Sequence, residues 1–364
     1  MNRGLEVVGI SRFVRGETYL ADVSLTLDEG SLTVVLGRTR AGKTSLLRVI
    51  AGLDRPDAGR LRWHDRDVTG AAVRTRDVAM VYQQFVNYPS LTVYENIASP
   101  LRLARRLDAA AIDRRVRETA SLLRIDGYLQ RLPAELSGGQ QQRTAIARAL
   151  AKDAGLLLLD EPLANLDFKL REELRSELRA LFRTRKSVVV YATAEPSEAL
   201  LMGGSTVVID EGRVLQAGPA LDVYRAPVSA RVGQLASDPE MNLLDVEVDA
   251  EGEVRLSAGL GFRPATRMAP GRYRLGVRAH DVRLAQQSAR DLRIAARVRA
   301  QEVSGSETLL RAQVTSGSAP HALSALVPGV HRQALGDEIA LFVDPARTFL
   351  FDAAGALCAR QAEG

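Results

Sequence analysis

One short segment constrains this chain more than any other: Gly37-Arg38-Thr39-Arg40-Ala41-Gly42-Lys43-Thr44. It follows a buried-strand run, Ser31 to Leu36, and opens a stretch, Lys43 to Leu53, that reads as a helix. A glycine-rich loop between strand and helix aims backbone N–H groups and the positive end of a helix at one point, which suits a phosphate. Lys43 adds a compact charge that the planar guanidinium of an arginine does not replace. It is one of only four lysines, with Lys152, Lys169 and Lys186, in a chain of 49 basic residues. Thr44 offers a hydroxyl to Mg²⁺, and Ser45 continues the loop into the helix. Arg40 stands where a small residue is usual; its side chain either adds charge near the phosphates or points to solvent, and solvent is the expectation.

Leu156-Leu157-Leu158-Leu159-Asp160-Glu161 is a second telling run. A central strand of this kind releases its two acids at the carboxyl end, beside the phosphate loop. Asp160 is then placed to hold Mg²⁺ through water, and Glu161 to orient or deprotonate an attacking water. A third segment is Leu136-Ser137-Gly138-Gly139-Gln140. Its two glycines let backbone N–H groups approach an anion, Ser137 adds a hydroxyl, and the helix after it points its positive end the same way. One nucleotide does not obviously occupy two phosphate-binding devices. Two chains arranged head to tail resolve this, each nucleotide held by the loop of one and the Ser-Gly-Gly segment of the other.

Around these motifs, aliphatic runs (Gly155 to Leu159, Ser187 to Tyr191) alternate with helical stretches, which predicts an α/β domain with a mostly parallel sheet. Between Thr92 and Leu136 the pattern is helical only; Ile112, Val116, Ala120 and Leu123 share one face, as in a helical insertion. Ala226-Pro227 and Asp238-Pro239 read as linker. Beyond Met241, short alternating strands predict a small β domain, plausibly barrel-like: Val246 to Val248, Tyr273 to Val277, Leu309 to Val314 and Ile339 to Val343. The expected division is 1–236 and 237–364, with a helical subdomain at about 92–136.

No stretch approaches the ~18 apolar residues of a membrane span, and Met1 to Gly9 lacks the apolar core of a signal peptide. The single cysteine, Cys358, fits a reducing compartment. A cytoplasmic protein is expected. The net charge of +5 comes from arginines spread over the whole length, so it reads as a general surface habit and not as a nucleic-acid interface.

The order of phosphate loop, Gln83, Leu-Ser-Gly-Gly-Gln, Asp160-Glu161 and Asp167 resembles the ABC-transporter ATPases over roughly Leu5 to Ala236. That resemblance implies ATP and Mg²⁺ as ligands. It places Thr44, Gln83 and Asp160 at the metal, and Gln83, Asp160 and Glu161 in catalysis. The loop from Gly37 through Ser45, with Ser137, Gly138, Gly139, Gln140 and Asp167, would hold nucleotide. Gln84 to Pro89 would lie in a groove receiving a coupling helix of a membrane subunit, and Leu163 to Asp167 would cross a dimer interface. An aromatic near the start stacks on adenine in this family; Phe13 and Tyr19 both fall there, and Phe13 is carried as the candidate. Met241 to Leu244, Gly276-Val277-Arg278, Gly305 to Thr308 and Phe351-Asp352 are similar to the regulatory, OB-like (TOBE-type) β domain of carbohydrate and glycerol-phosphate importers. Tyr82 to Pro89 and Tyr191 to Pro196 look more like the ATPase subunits of bacterial glycerol importers. The implied partners are integral membrane permease subunits and an extracytoplasmic solute-binding protein. The implied place is the cytoplasmic face of the membrane. An ABC ATPase acting on nucleic acid or the ribosome, or a mainly regulatory low-activity subunit, are the competing readings.

One departure stands out. The family carries a γ-phosphate-contacting histidine just after the strand that follows Asp167, and here that position holds Ala194. The four histidines, His64, His280, His321 and His331, lie elsewhere. Losing one such donor costs about 2.7–4 kcal/mol in the barrier. An asymmetric heterodimer is expected, in which a second, histidine-bearing ATPase supplies the better site. The alternative is a homodimer in which Thr193 or a water compensates.

Overall fold

The computed structural model describes residues 3–164, 166–257, 260–264, 266–315 and 321–360. The chain divides into two units, Met1–Ala220 and Leu221–Gly364.

In the first unit, β1 (Arg3–Val14), β2 (Glu17–Asp28), β3 (Leu32–Leu36), α1 (Lys43–Ala51), β4 (Ala58–Trp63), β5 (Arg66–Asp67) and β6 (Val78–Val81) come first. The helices α2 (Val93–Ala104), α3 (Ala109–Leu122) and α4 (Gly138–Lys152) follow. Then come β7 (Leu156–Asp160), α5 (Phe168–Thr184), β8 (Val188–Thr193), α6 (Pro196–Met202), β9 (Ser205–Asp210) and β10 (Arg213–Pro219). The principal sheet has the order β10-β9-β3-β8-β7-β6. All its pairings are parallel except that of β10 with β9. β7 and β8 are buried along their whole length, as strands covered on both faces must be. α1 packs against them through Leu46, Leu47 and Ile50.

A second sheet, β2-β1-β4-β5, is antiparallel and was not apparent from the alternation of strands and helices. Register shifts between Val7 and Ile10 and between Ile10 and Arg12 break the two-residue apolar rhythm of β1, so its core face is hard to recognise in the text. Its β1–β2 turn does have a signal, Arg15-Gly16, both at positive φ. The face predicted on α3 is found: Ile112, Val116, Ala120 and Leu123 are all buried. α1 stops at Ala51, short of the expected Leu53, because Gly52 turns left-handed and its N–H caps the carbonyls of Arg48 and Val49.

A short helix, α7 (Ala220–Arg225), precedes the predicted linker, and the linker itself contains another, α8 (Ala230–Leu235). The N–H of Ala230 bonds the carbonyl of Gly355 and that of Leu357 bonds Val228. This segment is thereby tied to the C-terminal strands, and the division falls at residue 220 where composition pointed to 236. The strands are β11 (Asn242–Val248), β12 (Val254–Ser257), β13 (Leu260–Phe262), β14 (Gly271–Val277), β15 (Val282–Arg283) and β16 (Leu292–Val303). β17 (Glu307–Val314), β18 (Ala322–Pro328), β19 (Glu338–Val343), β20 (Phe349–Phe351) and β21 (Leu357–Arg360) complete them. They form two antiparallel sheets, β13-β12-β11-β14-β20-β21 and β15-β19-β16-β17-β18. Alternate residues, such as Leu292, Ile294 and Ala296 of β16, point into a shared apolar core. Among the described residues no helix is long and apolar enough to cross a membrane.

Candidate functional site

The register of the parallel sheet brings three strand ends to one level. Leu36 of β3 lies beside Thr193 of β8, and Ala192 of β8 lies beside Asp160 of β7. The phosphate loop leaves β3 at this level, so loop, acids and the Ala194 turn emerge at the carboxyl edge of one sheet, where α/β proteins place their ligands.

The loop turns into α1 at Gly42, which has φ 105. A β-carbon there would stand 2.7 Å from the Tyr19 carbonyl oxygen, so torsion and space both demand glycine. Lys43 is 4% exposed. Its Nζ donates to the carbonyls of Gly37 and Arg38 at 2.8 and 3.1 Å and pairs with Glu161 Oε1 at 3.0 Å. The other carboxylate oxygen of Glu161 accepts from Gln83 Nε2 at 2.9 Å. Glu161 itself is held at φ 46, with its N–H bonded to Ala192; such a strained residue is characteristic of functional turns. Three of the residues expected to act together therefore do meet.

Asp160 is 1% exposed, and one of its oxygens, Oδ1, is buried with no partner among the described residues. Burial pushes its carboxyl above the usual carboxylate range, and the Glu161 charge adds to this against a Thr44 hydrogen bond and Lys43. A cleft of about 770 Å³ opens over these groups; Tyr19, Arg40, Lys43, Thr44, Gln83 and Glu161 are on its wall. Phe13 is not among the lining residues; its ring is half exposed and its N–H is bonded to Asp57 at 2.7 Å. Tyr19 is the aromatic that the structure puts on the wall.

Residues 137–140 do not line that cleft. Ser137 caps α4 in a reciprocal box: its N–H donates to Gln140 Oε1 at 2.9 Å, and its hydroxyl accepts from the Gln140 N–H at 3.4 Å. Ser137 and Gly138 are exposed. Asp167 is also exposed and caps α5, accepting from Leu170; Asn165 lies outside the described residues. Residues 137–140 and the cleft over Lys43 are thus separate places on this chain.

Ala194 is exposed at the end of β8. The Thr193 hydroxyl beside it is already committed, donating to Glu198 at 2.5 Å and accepting from the Glu195 N–H at 3.1 Å. Burial raises the Glu198 carboxyl against bonds from Thr193 and Tyr191, and raises the Tyr191 phenol well above its ordinary value.

Several positioning residues escaped the reading of the sequence. Buried Asn96 of α2 accepts from the Tyr88 N–H and donates to the carbonyls of Tyr88, Leu91 and Thr92. Arg148 of α4 lies over the Tyr88 ring at 4.9 Å and donates to Asn96 Oδ1 at 3.2 Å and to the Val86 carbonyl. Together they fix residues 84–89, and α4 carries both Arg148 and the Ser-Gly-Gly cap. Arg171 pairs with Glu195 at 2.7 Å and donates to the carbonyls of Ala164 and Leu166, joining the Asp167 segment to the Ala194 turn. A polar residue on the apolar face of α2 was the available signal for Asn96.

A phosphate loop at the end of an inner parallel strand, an acidic pair on a nearby strand of the same sheet and a separate Ser-Gly-Gly helix cap define an ATP-hydrolysing cassette. The ABC transporter family matches residues 20–164, and a TOBE domain matches residues 275–351. The chain is 34% identical to the sn-glycerol-3-phosphate import ATP-binding protein UgpC 3 of Agrobacterium fabrum, over 92% of this chain and 94% of that protein. It is 42% identical to the sulfate/thiosulfate import ATP-binding protein CysA of Bradyrhizobium diazoefficiens, over 72% of this chain and 76% of that one. The ATP-binding cassette MJ0796, solved as a dimer in a post-hydrolysis state with ADP and Pi, superposes with a TM-score of 0.54 at 27% identity, over 59% of this chain and 98% of that one. The chain belongs to the ABC transporter family, among the ATP-binding subunits of importers.

Proposed function

We propose that this chain powers uptake of a small polar solute of the glycerol, glycerol-phosphate or carbohydrate class. It works at the cytoplasmic face of the membrane with permease subunits and an extracytoplasmic solute-binding protein. The observation that carries the ATPase part is the Lys43–Glu161–Gln83 constellation in a cleft that residues 137–140 do not line. Lys43 holds the terminal phosphates, and the exchange of its ion pair for phosphate frees Glu161 to accept a proton from the attacking water. Tyr19 is the aromatic available to adenine. The likeness to a glycerol-phosphate importer subunit supports the solute class, although a sulfate/thiosulfate subunit is similar too.

The buried, unpartnered oxygen of Asp160, the Thr44 hydroxyl beside it and the nearby Gln83 amide fit a divalent cation that takes oxygen ligands. Bound Mg²⁺ would neutralise charge on the phosphates. Among the described residues no group of three His, Cys, Asp or Glu could hold a metal alone.

The pairing is asymmetric in this reading. Ala194 has no donor, and the Thr193 hydroxyl is engaged by Glu198. A second ATPase with its own histidine uses the Ser137–Gln140 cap of this chain to complete the faster site. A tagged chain purified from its native membranes in mild detergent tests all of this. Permease subunits and a histidine-bearing ATPase are expected to co-purify. Recovery of this chain as the sole ATPase would remove the heterodimer, and recovery without permeases would remove the transport role.

A further inference from the structure

Four cations stand on the wall of the cleft: Arg12, Arg40, Lys43 and Arg48. Three are engaged. Arg12 pairs with Asp57 at 3.5 Å, Arg48 forks onto Asp54 at 2.8 and 2.9 Å, and Lys43 faces Glu161 at 3.0 Å. The Arg40 side chain makes no ion pair or hydrogen bond among the described residues, nor does that of Glu17 on the same wall. Arg40 is exposed, as the sequence suggested, but the solvent it faces is the mouth of the cleft.

Its backbone is unusual as well. Arg40 sits at φ 68, in the left-handed region where a β-carbon is crowded and glycine is relaxed. A long charged side chain is therefore kept at a loop position that would be more stable without it, and strain of this kind is retained where function over-determines it. A guanidinium is charged at every accessible pH and presents a planar fork that matches two phosphate oxygens. Just past the end of β8 the Ala194 methyl can donate nothing, and the Thr193 hydroxyl is committed to Glu198.

We propose that Arg40 binds the terminal phosphate of the nucleotide held by this chain's own loop, supplying from the loop the donor that Ala194 lacks. This rests on the reading of the cleft as an ATP site. It makes that site one that grips ATP firmly and tells it from ADP by a guanidinium instead of an imidazole.

The test is equilibrium binding of ATP and of ADP to the full chain by titration calorimetry, with EDTA present so that the metal plays no part. Arg40→Gln and Arg40→Gly are compared with the wild type. ATP affinity is expected to fall about tenfold, the scale of one charge-assisted hydrogen bond, while ADP affinity stays within about twofold. Arg40→Gly relaxes the loop, so a melting temperature at or above that of the wild type is expected and shows that the variant folds. ATP affinity unchanged in both variants would leave the guanidinium in solvent and overturn the proposal. An equal fall for ATP and ADP would also overturn it, since the charge would then act on the shared phosphates. A wild-type chain that binds neither nucleotide would overturn the cleft reading and this proposal together. The substitution for Ala194 has its own readout: Ala194→His should recover ATP preference more in the Arg40→Gln background than in the wild type. Equal gains in both backgrounds would overturn it.

Discussion

The two glycine-containing segments at residues 37–44 and 137–140 are built from similar residues and held in opposite ways. The phosphate loop is satisfied by its own chain: Lys43 is buried against two loop carbonyls and Glu161, and Glu161 is closed on its other side by Gln83. At Gly42 the surrounding backbone leaves no room for a side chain. Ser137 and Gly138 are exposed, and Ser137 is capped by Gln140 of the same segment. A β-carbon on Gly138 would meet nothing nearer than a Phe85 ring carbon at 3.9 Å. Alanine at the start of a helix is more stable than glycine, so nothing within this chain explains Gly138. In the proposed head-to-tail pairing, the use of Gly138 would lie in what approaches from outside. A glycine demanded by the fold and a glycine demanded by a partner look alike in sequence, and the packing around them tells them apart.

This comparison can be broken. Glu161→Gln should lower turnover by on the order of a thousandfold while ATP still binds, as phosphate-release assays and calorimetry would show. Turnover that survives would mean the carboxylate closed by Lys43 is not the base. Ser137→Arg should lower turnover about a hundredfold, yet leave ATP binding by the dilute chain unchanged. If binding falls as well, residues 137–140 serve their own cleft and the contrast fails.

The glycines sharpen it further. Gly42→Ala should cost about 1–3 kcal/mol of stability in urea unfolding. Gly138→Ala should cost none, and gain up to about 1 kcal/mol, while still reducing ATPase activity. The smallest effect lies under the Ala194 turn. The folded-state pKa of Glu198 is raised by burial, so the stability it contributes is present below the unfolded carboxylate range and lost as pH rises through the folded value. Glu198→Gln should therefore melt about 2–4 °C higher than the wild type at neutral pH. The gap should close toward pH 4 in thermal melts, and a gap independent of pH would mean that Glu198 is not the titrating group.

Three motifs were legible because phosphate chemistry needs particular residue types at contiguous spacing. Gly37 through Thr44, Asp160-Glu161 and Ser137 through Gln140 are each read within a few residues. What stayed hidden was assembled over distance. Arg148 reaches Val86 and Asn96, and Arg171 reaches Glu195, across separations of 24 to 62 residues, and no local pattern marks such a pair. The β2-β1-β4-β5 sheet was missed because its register shifts erase the alternation that identifies a strand. The choice between Phe13 and Tyr19 had no local answer either, since both sit in the same hairpin and only the path of the chain puts Tyr19 on the cleft wall.

By itself, then, the amino-acid order determined the α/β unit with its β-rich C-terminal companion, the loop that cradles phosphate and the empty place at Ala194, because each depends on residue identity at fixed spacing. Tertiary structure alone decided that Lys43, Gln83 and Glu161 close on one another, that the Thr193 hydroxyl is engaged by Glu198, and that Arg40 lines the cleft with no side-chain partner among the described residues. Those are matters of which surfaces meet, and the meeting of surfaces is set by sheet register and packing, which no short stretch of sequence contains.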